Sequence, residues 1–260
     1  CEFKYEKFKC KSWNFFNRKI KMEVKIIPCL SDNYSYLIFD KNKKIACVID
    51  PSEARPVIEA VNKLDLDLRY ILNTHHHYDH VGGNKKLKEE FDAKIIGYKE
   101  DQNRIPEIDI LVEDGQIWSK DNFEIKIFHV PGHTSGHVCY YLAKNKIVFT
   151  GDTLFSLGCG RVFEGTNEQM FNSLNIIKNL PPETEVYCGH EYTLQNSKFC
   201  VEHDPNNLKL KNKIKIIEEK IQKGHPTVPS KIQDEIECNI FLKAVSLDVF
   251  SKLRDLKDNF

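Results

Sequence analysis

Residues 74–83, Thr-His-His-His-Tyr-Asp-His-Val-Gly-Gly, constrain this chain more than any other stretch. They put four histidines and an aspartate between His75 and His80, straight after the apolar run Tyr70-Ile71-Leu72. In an extended segment alternate side chains share a side, so His75 and His77 can reach one metal ion while His76 points away. If the chain turns after Tyr78, Asp79 and His80 aim at a neighbouring point, which suggests a second ion. Neutral imidazole and carboxylate suit Zn, Fe or Mn, and no thiolate stands nearby to favour a closed structural site. A histidine-rich surface loop would ask nothing more of the chain. A metal centre requires further ligands elsewhere.

Three candidates stand where strand-end loops would hold them. His133 lies in Pro131-Gly132-His133-Thr134-Ser135-Gly136-His137, directly after the run Phe123 to Val130. Asp152 follows the run Ile147 to Thr150, and His190 follows Glu185 to Cys188. Each has a glycine beside it, which lets backbone approach closely. His76, His129, His137, His203 and His225 lack a ligand-like partner and read as structural or surface residues. Cys159, between Gly158 and Gly160, reads as a small buried residue rather than a nucleophile.

Short β-branched and aromatic runs predict strands over 24–27, 34–39 and 45–49, then at 70–72, 94–98, 117–118, 123–130, 138–142, 147–150 and 185–188. Helical spacing predicts helices over 52–64, with Ser52 as N-cap, and over 84–91 and 167–180. Two strand groups with helices interspersed imply two sheets face to face with helices outside. Residues 192–260 contain no convincing strand. Helices over 208–221 and 247–256, with a Gly/Pro break at 224–229, imply a smaller helical domain there. The division is therefore a basic extension at 1–21, a catalytic domain at 22–191 and a helical substrate-binding domain at 192–260.

Composition sets the remaining bounds. The chain has 260 residues, 41% of them hydrophobic, enough for a substantial core. Lys plus Arg equals Asp plus Glu at 38 each, so no global field draws the protein to nucleic acid or a membrane surface. No stretch approaches the apolar length of a membrane helix. The nine cysteines are scattered without a Cys-x-x-Cys pair, which favours reduced thiols in an intracellular compartment. Residues 1–21 carry seven Lys or Arg against Glu2 and Glu6. Two readings stand for them: the remainder of a leader for a mitochondrion or plastid, or a plain extension on a cytoplasmic protein. A monomer is expected.

The set His75-x-His77-x-Asp79-His80, His133, Asp152 and His190 resembles the metal motifs of the metallo-β-lactamase superfamily. Residues 22–260 more closely resemble its glyoxalase II (hydroxyacylglutathione hydrolase) family. The supporting stretches are 30–34, 74–84, 132–137, 151–165, 189–193 and Leu253-Arg254-Asp255-Leu256-Lys257-Asp258. The resemblance implies an α/β fold, an αββα sandwich with a smaller C-terminal helical domain. It implies that His75, His77 and His133 hold one divalent ion, that Asp79, His80 and His190 hold another, and that Asp152 bridges them. Zn leads, with Fe or Mn as alternatives. A hydroxide shared by the ions is the implied nucleophile, so Asp79 and Asp152 count as catalytic through the metals. Asp50 resembles the family's aspartate that orients a ligand histidine, although Asp before Pro is also a common turn pair.

The substrate implied is a glutathione thioester such as S-lactoylglutathione, cleaved to glutathione and a 2-hydroxy acid. Arg254 and Lys257, three apart on one helical face, match the family's contacts to a substrate carboxylate, as do Arg161 and Tyr192. Taken alone, such a pair is more often a solvated charged face. Two departures stand out. Arg161 replaces a lysine common in relatives, and Phe163 replaces a tyrosine that hydrogen-bonds glutathione, so affinity is in doubt rather than the reaction. The alternatives are an iron-dependent persulfide dioxygenase, another hydrolase of this fold such as a nuclease, and a non-catalytic scaffold.

Overall fold

The central strands of this chain, such as Ile45–Ile49, Val138–Leu142 and Ile147–Gly151, are buried on both faces, which demands a layer on each side of the sheets. The computed structural model, which describes residues 22–260, meets that demand with two six-stranded sheets packed face to face and helices outside. The basic extension expected over residues 1–21 lies outside the described residues.

The first sheet holds β1 (Glu23–Cys29), β2 (Asn33–Phe39), β3 (Ile45–Ile49), β4 (Asp67–Leu72), β5 (Lys94–Tyr98) and β6 (Ile110–Val112), in that order. Strands β1 to β3 pair antiparallel and β3 to β6 parallel. Helices α1 (Ala54–Leu64) and, after the single turn α2 (Tyr78–Val81), α3 (Asn84–Phe91) cover its outer face.

The second sheet starts with β7 (Ile117–Lys120), β8 (Phe123–His129), β9 (Val138–Leu142) and β10 (Ile147–Gly151). After the small hairpin β11 (Leu154–Phe155) and β12 (Gly158–Cys159) comes α4 (Asn167–Lys178), then β13 (Glu185–Cys188). Helices α5 (Thr193–His203) and α6 (Leu208–Gln222) precede β14 (Ser230–Lys231), and α7 (Ile232–Cys238), α8 (Ile240–Lys243) and α9 (Leu247–Asp258) end the chain. The sheet order is β14-β13-β10-β9-β8-β7.

Period-two alternation sorts the side chains. Tyr36, Ile38, Ile49, Tyr70 and Leu72 meet Phe123, Ile125, Ile127, Tyr140 and Phe149 between the sheets. Their neighbours Leu37, Val48, Ile71 and Ile95 face outward onto Val57, Val61 and Leu87. On the other outer face, Tyr141, Val148 and Val186 pack against Met170, Leu174, Phe199 and Phe250. Each large side chain so buried contributes about 1.5–3 kcal/mol.

Strand direction is what gathers the functional loops. Strand β13 runs parallel to β10, and β8 and β10 are each antiparallel to β9, so β8, β10 and β13 end at one edge of their sheet. The ends of β3 and β4 meet that edge. Val138 N donates to Thr74 O at 2.8 Å, Tyr34 N donates to Gly189 O at 2.8 Å, and Asn33 bridges His190.

Several elements differ from the sequence expectation. Helix α1 starts at Ala54 with Glu53 as N-cap, not Ser52. Ser52 N donates to Ser35 Oγ, and the Glu53 carboxylate accepts from Leu30 N. Helix α4 ends at Lys178 and begins with a Thr166–Gln169 capping box. The two-residue strand β14 breaks the expectation of no strand after residue 192, and β6 was too short to stand out. Helices α5, α7 and α8 were not expected.

Candidate metal centre

Four loops carry the candidate ligands to one spot. His75, His77, Asp79 and His80 follow β4, and α2 supplies the turn that re-aims Asp79 and His80. His133 follows β8, Asp152 follows β10 and His190 follows β13. Gly189 is required here, since a side chain on it would strike the Asp152 carboxylate and the His80 ring.

Two ligand groups form. The donor atoms of His75, His77 and His133 lie within 4.8 Å of one another, and so do those of Asp79, His80 and His190. Asp152 stands between them. Its Oδ1 is 3.5 Å from His80 Nε2, and its Oδ2 is 3.4 Å from His133 Nε2 and 3.3 Å from His190 Nε2. His77 Nδ1 is 3.1 Å from His133 Nε2, and Asp79 Oδ2 is 3.4 Å from His190 Nε2. Metal–nitrogen bonds of about 2.0–2.1 Å give a tetrahedral shell donor separations of about 3.3–3.4 Å, so these spacings suit a cation in each group.

Buried polar atoms make the same point. His75 Nε2, His80 Nε2 and Asp152 Oδ1 are buried without a hydrogen-bond partner, at a cost of about 1–3 kcal/mol each that a shared cation would offset. Four of the five ring systems have their other nitrogen tied down. His75 Nδ1 meets Thr74 Oγ1 at 3.0 Å, His80 Nδ1 meets Asp50 Oδ2 at 3.0 Å, His133 Nδ1 meets Arg161 O at 2.8 Å and His190 Nδ1 meets Asp32 Oδ1 at 2.8 Å. Such contacts fix the tautomer and aim the free nitrogen at the metal.

Electrostatics follow burial and charge. Burial pushes His75 well below the usual imidazole range, with His80 and His137 adding to the effect. Burial, then His133 and His76, lower His77 to about 4. Burial opposes ionisation of Asp152, yet His80 and His190 hold its carboxyl well below the usual range. His80 is raised against burial by Asp152 and Asp50. Burial thus favours the neutral, metal-binding form of His75, His77 and His133.

Supporting residues outside the expected site appear around it. Asp32 holds His190, and Asn33 Nδ2 donates to Asp79 Oδ2 at 2.9 Å. His137 is buried, receives Asp152 N on its Nε2 at 3.1 Å and stacks on His75 at 4.7 Å. His137 read as a structural or surface residue in the sequence and is buried beside the centre, and no local signal marked Asp32 or Asn33 as partners of distant candidate ligands.

A cavity opens over the centre, lined by His77, Asp79, His133, Asp152, His190, Phe155, Arg161, Phe163 and Tyr192. Tyr192 stacks flat on His190 at 4.7 Å, and Phe163 meets His133 edge-on at 5.2 Å. Arg254 and Lys257 are not among its lining residues. Arg254 is 4% exposed; its Nη1 donates to Cys159 O at 2.9 Å and Gly160 O at 3.3 Å, and its Nη2 pairs with Asp258 at 2.9 Å. The side chain runs under the Cys159–Arg161 loop because α9 packs behind it. Arg161 shares the same Asp258 carboxylate at 3.2 Å. Lys257 Nζ lies over the Phe260 and Phe199 rings. Cys159 is buried, as expected.

The two-sheet sandwich with paired His/Asp groups at one edge defines a divalent-metal-binding protein of the αββα class. A model of the metallo-beta-lactamase superfamily matches residues 31–190, and one of the hydroxyacylglutathione hydrolase C-terminus matches residues 191–260. A hydroxyacylglutathione hydrolase of Pelagibacter ubique is 65% identical over 239 residues, covering 92% of this chain and all of that one. That of Rippkaea orientalis is 44% identical, again over 92% of this chain and all of its own length. The crystal structure of ETHE1 from Myxococcus xanthus superposes with a TM-score of 0.69 at 27% identity, covering 90% of each chain. TTHA1623 in a di-iron-bound form gives 0.54 at 28% identity, over 65% of this chain and 91% of that one. The chain belongs to the hydroxyacylglutathione hydrolase family of the metallo-beta-lactamase superfamily.

Proposed function

We propose that this protein hydrolyses S-2-hydroxyacylglutathione thioesters, such as S-lactoylglutathione, to glutathione and a 2-hydroxy acid. The observation that carries the reading is the convergence of seven ligand-type side chains beneath one aromatic-walled cavity, in a chain 65% identical to a relative of that name. His75, His77 and His133 would hold one divalent ion and Asp79, His80 and His190 a second, with Asp152 shared. Zn is the first choice, and Fe or Mn suit the same donors. Divalent ions bound there supply Lewis acidity toward a carbonyl and lower the pKa of water toward about 7.

The chain's own residues do the rest. Asp152 and Asp79 would offset part of the charge of the bound cations, and Asn33 fixes the Asp79 carboxylate at the mouth. Phe155, Phe163 and Tyr192 exclude bulk water from the thioester, which strengthens electrostatic stabilisation of the developing oxyanion. Water adds to the thioester carbonyl, the carbon–sulfur bond breaks, and the proton leaves with the glutathione thiol. Arg161 and Tyr192 contact the glutathione part. Lys257, which forms no ion pair among the described residues, offers a cation to its carboxylate, and Arg254 acts through the loop it supports.

Residues 192–260 serve substrate binding in this reading. The seven described cysteines are free and buried, in keeping with a reducing intracellular compartment. None of the helices among the described residues is long and apolar enough to cross a membrane. Incubation of metal-replete protein with S-lactoylglutathione should release free thiol without oxygen uptake. Oxygen consumption with glutathione persulfide, and no thioester cleavage, would point instead to the dioxygenase reading.

A further inference from the structure

His77 stands apart from the other candidate ligands. Its Nδ1 faces His133 Nε2, and its second nitrogen has no partner among the described residues, whereas His75, His80, His133 and His190 are each oriented through theirs. A ligand histidine without that contact needs another source of orientation. The adjacent His76 ring meets the His77 ring edge-on at 5.0 Å and itself sits in a cage of charged groups. Its Nδ1 lies 3.5 Å from Asp101 Oδ2, and its Nε2 lies 3.3 Å from Glu164 Oε1.

The far side of the cage is closed by Arg104. Its Nε and Nη2 donate to Asp101 Oδ1, and its Nη1 donates to Glu164 Oε2 at 2.8 Å. Glu164 Oε2 also accepts from Ser135 N at 2.8 Å and Ser135 Oγ at 3.0 Å. Ser135 lies two residues beyond His133, and Glu164 directly follows Phe163, whose N donates to His133 O at 3.3 Å. A loose surface ion cluster would leave His76 free to turn. Here Asp101 is fully buried, and a side chain at Gly136 would collide with its carboxylate, so the loops are shaped around the group.

We propose that His76, Asp101, Arg104 and Glu164 form a positioning cage that orients His77 from behind and locks it to the His133 loop and the Phe163 wall. None of the four need touch a metal or substrate. The inference rests on the reading that His75, His77 and His133 share one ion, and it concerns that ion alone. Asp79, His80 and His190 are oriented by Asn33, Asp50 and Asp32, outside the cage.

The test is a zinc titration of the full-length, metal-stripped protein in competition with a chromophoric chelator. Arg104→Ala and Glu164→Gln, both at partly exposed positions, should each weaken one of two zinc-binding events by about ten-fold or more and leave the other unchanged. Their combination should cost little more than the worse single change, because the two act as one unit. Arg104→Lys should recover part of the loss. Wild-type affinity for both ions in either single variant, or equal weakening of both ions, would overturn the cage. Wild-type protein binding fewer than two zinc ions would overturn the reading of the centre itself. That result is distinguishable, because it needs no variant.

Discussion

Asp50 Oδ2 lies 3.0 Å from His80 Nδ1, although 30 positions separate the two residues. The same carboxylate accepts Thr74 N at 2.7 Å and Thr74 Oγ1 at 2.6 Å, and Thr74 Oγ1 in turn meets His75 Nδ1. One aspartate at the end of β3 therefore orients a candidate ligand from each half of the centre. It also makes the turn, with a positive φ of 46°. Asp50→Asn should lower metal affinity by about 10–100-fold, measured as metal retained after dialysis against a chelator. Undiminished retention would remove Asp50 from this role.

Phe163 is 59% exposed on the cavity rim, edge-on to His133. Phe163→Tyr places a hydroxyl where glutathione would pass. One added hydrogen bond is worth about 0.5–1.5 kcal/mol, so KM should fall by about 2–10-fold with kcat unchanged, as for a contact equally strong in ground and transition states. Steady-state kinetics read the split. An unchanged KM would show that substrate does not pass this ring.

Arg254→Ala is expected to act on the fold and the substrate together. Removing the guanidinium strands the Cys159 and Gly160 carbonyls and leaves Asp258 with Arg161 alone, a loss of about 1.5–3 kcal/mol. Chemical denaturation should show the lost stability, and KM should rise as Arg161 loses its support. A raised KM at full stability would mean that Arg254 meets the substrate directly.

What could be read along the chain, and what could not, divides on range. The convergence of the seven candidate ligands was legible because each follows an apolar run and sits beside glycine or within the 75–80 cluster. Both sheets were legible from period-two runs. Arg254 was legible as a charge but not as a buried one, since its burial comes from α9 packing behind the Cys159 loop. Asp32 and Asn33 looked like turn residues because their partners, His190 and Asp79, are brought near only by the meeting of the two sheets. Helix α5 carries a weak apolar periodicity because Thr193, Asn196 and Ser197 share its buried face with Phe199 and Cys200.

Glu235 gives a pH-dependent expectation away from the centre. It is fully buried, its Oε2 accepts Leu157 N at 2.8 Å and Asn239 Nδ2 at 3.0 Å, and its Oε1 has no partner. Burial raises its pKa above the ordinary 4.5, against the hydrogen bonds from Leu157 and Asn239 that lower it. A raised folded-state value means that the folded protein binds the proton more tightly. Its contribution is therefore complete below 4.5 and is lost as pH rises through the folded value. Stability of the native protein should decline over that window relative to Glu235→Gln, in denaturant melts at stepped pH. Parallel curves would contradict the buried-acid account.

The central claim is that a divalent-metal centre built from His75, His77, Asp79, His80, His133, Asp152 and His190 cleaves a glutathione thioester. Its most direct test is the rate of S-lactoylglutathione hydrolysis by metal-stripped protein as zinc is added back, with Asp152→Ala alongside. The expected result is no turnover without metal, recovery that saturates once two ions are bound, and no recovery in the variant. Metal-replete wild-type protein without turnover, or an Asp152→Ala protein that keeps both ions and the full rate, would contradict it.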